Sequence, residues 1–154
     1  MHPKIKANKR FTPCPMEDGD ELFPNGIFVF NITRMLAAIN DNPGHYPLET
    51  IAVRESFISF SRINEAHANT VDLTLPVILA EIAPGQYNLV DGHHRMAKAL
   101  KLGTETLPGH KLSMAQHLPF LTTVSGHQAY VRYWNDKLKQ AEKLKRSMAS
   151  GTMA

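Results

Sequence analysis

The residues of this chain best suited to chemistry are Asp91-Gly92-His93-His94-Arg95, which follow directly on the apolar stretch Tyr87-Asn88-Leu89-Val90. A carboxylate, two imidazoles and a guanidinium around one glycine suit an anion, and phosphate is the natural guest. If a helix begins here, its first-turn N–H groups have no partner within the helix. Its dipole adds about half a positive charge at that end, which makes a ready anion site. Gly92 lacks a Cβ and would let a bulky anion approach the backbone. His93, His94 and Arg95 add side-chain donors, and the planar fork of Arg95 can hold two phosphate oxygens at once. Asp91 fits as an N-cap that accepts from the N–H of His93 or His94. It fits equally as a holder of magnesium bridging to phosphate. The bland alternative is an Asp-Gly turn before a polar helix start. Zinc is disfavoured: adjacent helical histidines diverge by about 100°, and His110, His117 and His127 stand at no strong ligand spacing.

The elements that must position these residues are legible in outline. Leu75 to Ile82 reads as a strand, Ala83-Pro84-Gly85-Gln86 as a type II turn, and Tyr87 to Val90 as the returning strand. Asp91 to Leu102 reads as a helix that Gly103 stops. Upstream, Gly26 to Phe30 is a short strand, and Asn31 N-caps a helix carrying Ile32, Met35, Leu36 and Ile39 at helical spacing. Asn42-Pro43-Gly44 ends that helix. Thr50 to Ile58 reads as a strand, and Ser59 to Asp72 as a loop with one helical turn. Residues 104–126 read as loop with a short helix near Ser113–Leu118. A last helix is expected from Gln128 to Met148, with Tyr130, Trp134, Leu138, Ala141 and Leu144 as its apolar stripe, and a frayed tail from Ala149 to Ala154. Residues 1–25 read as an irregular arm before a single domain over 26–150. The arm's acidic patch, Glu17, Asp18, Asp20 and Glu21, lacks the spacing of a calcium loop and reads as a solvated turn.

A chain of 154 residues, 43% hydrophobic and 20% charged, suits one globular domain with an ordinary core. The single cysteine, Cys14, allows no intrachain disulfide and points to a reducing, cytoplasmic setting. The basic start is followed by no apolar run, so no signal peptide is expected, and no stretch is long and apolar enough for a membrane span. Net charge is +3. Lys4, Lys6, Lys9 and Arg10 cluster near the start, and Lys137, Lys139, Lys143, Lys145 and Arg146 lie in the last helix. Such clusters serve as solvated faces or meet polyanions.

The run from Leu89 to Gly103, Leu-Val-Asp-Gly-His-His-Arg-Met-Ala-Lys-Ala-Leu-Lys-Leu-Gly, resembles the signature of the ParB/sulfiredoxin superfamily. Its Asp-Gly-His-His-Arg form is most similar to the free-serine kinases that use ADP. The match covers Leu75 to Gly103, including the Pro-Val-Ile-Leu strand; the rest of the chain matches poorly. The resemblance implies an α+β fold, a small mixed sheet with flanking helices and a C-terminal helix. It implies that Gly92, His93, His94 and Arg95 cradle the phosphates of a nucleotide (ADP, ATP or CTP), with Asp91 beside magnesium or a substrate hydroxyl. Asp91, Glu65 and His94 are then the candidate catalytic residues, Glu65 as general base with Glu55 second to it. The implied activity is phosphoryl transfer from a nucleotide to a small hydroxyl compound, or nucleotide hydrolysis. The alternative is a non-enzymatic ParB-like module that binds a nucleotide and touches DNA through the basic last helix. Sulfinic acid reduction is not expected, because His93 occupies the sulfiredoxin nucleophile position and Cys14 lies far off. In the residues given after Gly103, no counterpart is expected of the long DNA-binding region that follows this domain in partition proteins.

Overall fold

Strand Val77–Ala83 is buried along its whole length, and the rest of the molecule is arranged around it. The computed structural model describes residues 2–149. In chain order the elements are β1 (Leu22–Asn25), β2 (Phe28–Asn31), α1 (Ile32–Asp41), β3 (Glu49–Ala52), α2 (Glu65–Ala68), β4 (Val77–Ala83), β5 (Gln86–Asp91), α3 (His93–Leu102), β6 (Thr106–Leu112), α4 (Met114–His117) and α5 (Val124–Ala149). The protein is a mixed α+β fold with two small sheets: an antiparallel β1–β2 hairpin, and a four-stranded sheet in the order β3-β6-β4-β5. β4 and β6 run parallel, and the other neighbours antiparallel.

Two apolar layers cover the two faces of the larger sheet. Val77 and Leu79 of β4 join Ile51, Leu89, Leu107 and the α3 residues Met96 and Ala99. Ile78, Ala80 and Ile82 point the other way, into a larger cluster with Phe30, Met35, Tyr130 and Trp134. Burial on both faces explains why β4 reads as an apolar run broken only by Glu81. Each fully buried large side chain contributes about 1.5–3 kcal/mol.

α1 forms as its sequence signals. The Asn31 side chain accepts from Arg34 N at 3.0 Å, and Ile32, Met35 and Ile39 are buried. The β4–β5 turn carries Gly85 at φ +72°, the left-handed position of the expected type II turn. Its amide donates to the buried Glu81 carboxylate at 2.9 Å.

Several expectations are overturned. The largest is β6, a central strand where a loop was expected. Pro108 and Gly109 interrupt its pattern, and both are accommodated by their places in the ladder. Pro108 lies opposite Thr50 of β3, and pairing with β4 begins only at Gly109, so the missing proline N–H is not needed there. A Cβ on Gly109 would stand 2.5 Å from Ile51 Cγ1 and 2.9 Å from Val77 Cγ2, so only glycine lets the three strands close. The strand expected over Thr50 to Ile58 stops at Ala52, and Glu55–Ile58 is a 3-10 turn.

The N-terminal arm is not irregular throughout. It contains β1, and it is tied down along its length. Pro3 O accepts from Trp134 Nε1 at 3.1 Å, Ile5 exchanges two hydrogen bonds with the Asn135 side chain, and Cys14 N donates to Leu121 O at 2.8 Å. Asp20 is bound to the Asn31 side chain at 2.8 Å, so the acidic patch is not simply solvated. α5 starts at Val124 rather than Gln128, and only the first part of its stripe packs: Tyr130 and Trp134 are buried, whereas Ala141 and Leu144 are exposed. Apart from Ala149, the tail expected to fray lies outside the described residues. No helix among the described residues is long and apolar enough to cross a membrane.

One buried histidine gives the fold a pH response. His117 is fully buried, and its Nε2–H donates to Glu81 O at 2.6 Å, which leaves Nδ1 as an unpartnered lone pair. Protonating Nδ1 would bury a charge with no acceptor, and desolvation lowers the pKa to about 4. The unfolded chain binds this proton near pH 6.5 and the folded one only near 4. Stability is therefore intact above 6.5 and falls as pH drops toward 4, by up to about 3 kcal/mol. Urea unfolding across that range checks this. The slope should exceed that of His117→Asn; equal slopes would contradict it.

Candidate functional site

α3 begins with no side-chain cap. The residue at its N-cap is Gly92, at φ +97° in the left-handed region, and not Asp91. Asp91 is the last residue of β5, and its carboxylate turns toward Arg95: Arg95 Nη2 donates to Asp91 Oδ2 at 3.3 Å and to Pro76 O at 3.0 Å. The capping role expected of Asp91 is thus corrected. The strand runs one residue further than expected, and a charge-assisted contact to the guanidinium outcompetes the backbone amides. A register shift helps to aim it. Between Ile78 and Leu79, β5 advances two residues while β4 advances one, a bulge of the kind that redirects side chains beside functional sites.

The uncapped turn opens into a cleft of about 900 Å³. The tip of the β1–β2 hairpin forms one wall, with Phe23, Pro24 and Asn25. Segment 56–62 forms the other. The floor is the end of β5 and the residues Asp91 to Arg95. This size lies within the usual range for small-molecule sites.

The four expected phosphate-cradling residues therefore all line one cleft, with different freedom. His93 stacks on Phe23 with ring centroids 5.1 Å apart and bonds to the Leu89 backbone. Desolvation lowers its pKa, opposed by that bond and by Asp91. Its ring serves the protein, and its amide faces the cleft end of the helix. His94 Nε2 accepts from Asn64 N at 3.2 Å, and its ring meets His67 edge-on at 4.6 Å. Desolvation and then His67 hold its pKa down, and its bond to Asn64 ties α3 to the segment before α2. With Nε2 occupied, its expected catalytic role is restricted to Nδ1. Arg95 is held from one side by Asp91 and Pro76, and its Nε is buried without a partner.

Glu65 is misplaced by the sequence reading. It sits in the first turn of α2, highly exposed, with Lys101 Nζ 3.7 Å away, and neither it nor Glu55 lines the cleft. The glutamate that does, beside the Asp91 carboxylate, is Glu21. Its backbone is clamped to the start of α1: its O accepts from Ile32 N at 2.8 Å, and its N–H donates to Thr33 Oγ1 at 2.8 Å. Desolvation in the cleft and the nearby Asp91 carboxylate push its pKa up, against the pull of Arg95. A second group missed is Arg62, exposed on the cleft wall and without an ion-pair partner among the described residues. No local signal marks either residue, because their neighbours in space are remote in sequence.

Among the described residues no three His, Cys, Asp or Glu side chains cluster as metal ligands. His110, His117 and His127 are dispersed, bound to Tyr46 O, Glu81 O and Asn8 N respectively. Magnesium makes a lesser demand: one or two carboxylates, with phosphate and water completing the shell. Asp91, whose Oδ2 alone meets Arg95, fits that demand. Compared with known proteins, the chain matches no family model, no curated protein and no solved structure.

Proposed function

We propose that this chain is a ParB/sulfiredoxin-like nucleotide-binding protein that transfers a phosphoryl group to a small hydroxyl compound, or hydrolyses the nucleotide with the same groups. The observation that supports this most is the uncapped first turn of α3 at the floor of the cleft. Its amides and dipole favour a phosphate. Arg62 adds an exposed cation on the wall, and Arg95 a hydrogen-bonded one behind the turn. Positioning and charge neutralisation carry most of phosphoryl transfer. Glu21 faces the same space with a raised pKa, as suits a group that takes a proton from the acceptor hydroxyl. Magnesium held by Asp91 would neutralise phosphate charge when bound.

Calorimetry with ADP, ATP and CTP in the presence of magnesium tests the binding half. Arg95→Ala is expected to weaken the bound nucleotide by roughly 1.5–3 kcal/mol, the scale of a charge-assisted hydrogen bond. Unchanged affinity in that variant, or no binding by the wild type, would sink the reading. Turnover with and without hydroxyl acceptors tests the catalytic half. The second reading, a nucleotide-binding module that touches DNA, is favoured by one observation: beyond Trp134, α5 leaves Lys139, Lys143, Lys145 and Arg146 exposed. Tight nucleotide binding without turnover, together with a salt-sensitive gel shift, would select it.

A further inference from the structure

We propose that Phe60 is the platform on which the planar base of the nucleotide stacks, an inference that rests on the phosphate site at α3. Besides its histidines, the cleft is lined by four six-membered aromatic rings, those of Phe23, Phe57, Phe60 and Tyr87. Three are already engaged. Phe23 lies on His93, Phe57 packs against the α3-side core, and Tyr87 sits under Lys111 Nζ at 4.5 Å. Phe60 has no ring contact among the described residues and is 102% exposed, on the turn that follows the 3-10 segment Glu55–Ile58.

Turn positions favour small polar residues, so local structure does not call for a phenyl ring here. A ring held wholly in water at the lip of a cleft gains by covering a flat apolar surface. The same cleft is lined also by the polar residues Ser56, Ser61, Arg62 and Asn88. A ligand matching a bare ring, polar side chains and an uncapped helix start in one cleft has a planar part, hydroxyls and an anionic end, as a nucleoside diphosphate has. Stacking on an aromatic ring tolerates any base, because every base has a π-face, so Phe60 supplies affinity for nucleotides as a class. Arg62, two residues on, is placed to reach the same ligand.

The test is calorimetry of the wild type, Phe60→Ala and Phe60→Trp with ADP and with pyrophosphate, magnesium present throughout. Phe60 is fully exposed, so neither substitution removes a core contact. Phe60→Ala is expected to weaken ADP roughly 5- to 150-fold and to leave pyrophosphate unchanged, and Phe60→Trp to retain ADP affinity. If Phe60→Ala binds ADP as the wild type does, or loses ADP and pyrophosphate equally, the platform is overturned while the phosphate site stands. If the wild type binds neither ligand, the phosphate site falls and the platform with it.

Discussion

Gly92→Ala is expected to destabilise the fold by about 2–5 kcal/mol, from two separable causes. The first is backbone conformation. Gly92 holds φ +97°, and an L-residue in the left-handed region costs about 1–2 kcal/mol. The second is space. A Cβ would stand 2.5 Å from Val77 Cγ1, 3.0 Å from Val77 Cβ and 3.1 Å from Arg95 Nη2. Val77 is fully buried in β4 and cannot yield, and overpacking of that kind costs about 1–3 kcal/mol. Urea unfolding of Gly92→Ala, Val77→Ala and the double variant separates the two. The double variant should recover the steric part and keep the conformational part, giving a favourable coupling on the scale of about 1 kcal/mol or more. A loss well under 1 kcal/mol for Gly92→Ala would mean that the strand–helix junction relaxes freely, contrary to this account. The glycine was expected to make room for an anion; the packing of α3 on β4 already requires it.

Glu21→Gln is expected to lower turnover by roughly 10²–10⁴-fold, the usual contribution of a positioned base, with nucleotide affinity nearly unchanged. Gln keeps the shape and removes the proton acceptor. The base works ionised, so the rate should fall as pH drops through its pKa. Because desolvation and Asp91 raise that pKa, the acid limb should lie above the ordinary glutamate range. In the Gln variant this limb should disappear along with most of the rate. Full turnover in Glu21→Gln, with its acid limb intact, would remove Glu21 from the chemistry. Glu65→Gln is the matched control. Its carboxylate is solvated and pairs with Lys101 across 3.7 Å, so it should change little.

What was readable in the amino-acid string is what short-range forces set. Asn31 caps α1 three residues ahead of the amide it accepts, Gly103 ends α3 at φ +71°, and Pro84-Gly85 turns β4 into β5. Each signal acts within a single turn of chain, so each is visible in a local window, and together they place Asp91 to Arg95 between a strand and a helix. β6, the ordered arm and Glu21 were beyond such a window. Thr106–Leu112 is a strand because β3 and β4 hydrogen-bond it from both sides, against the local bias of its proline and glycine. The arm is held by Trp134 and Asn135 from the far end of the chain. Glu21 meets Asp91 and Arg95 only once the small hairpin closes over α3. Cooperative burial and long-range pairing carry those energies, and no spacing along one strand of sequence encodes them.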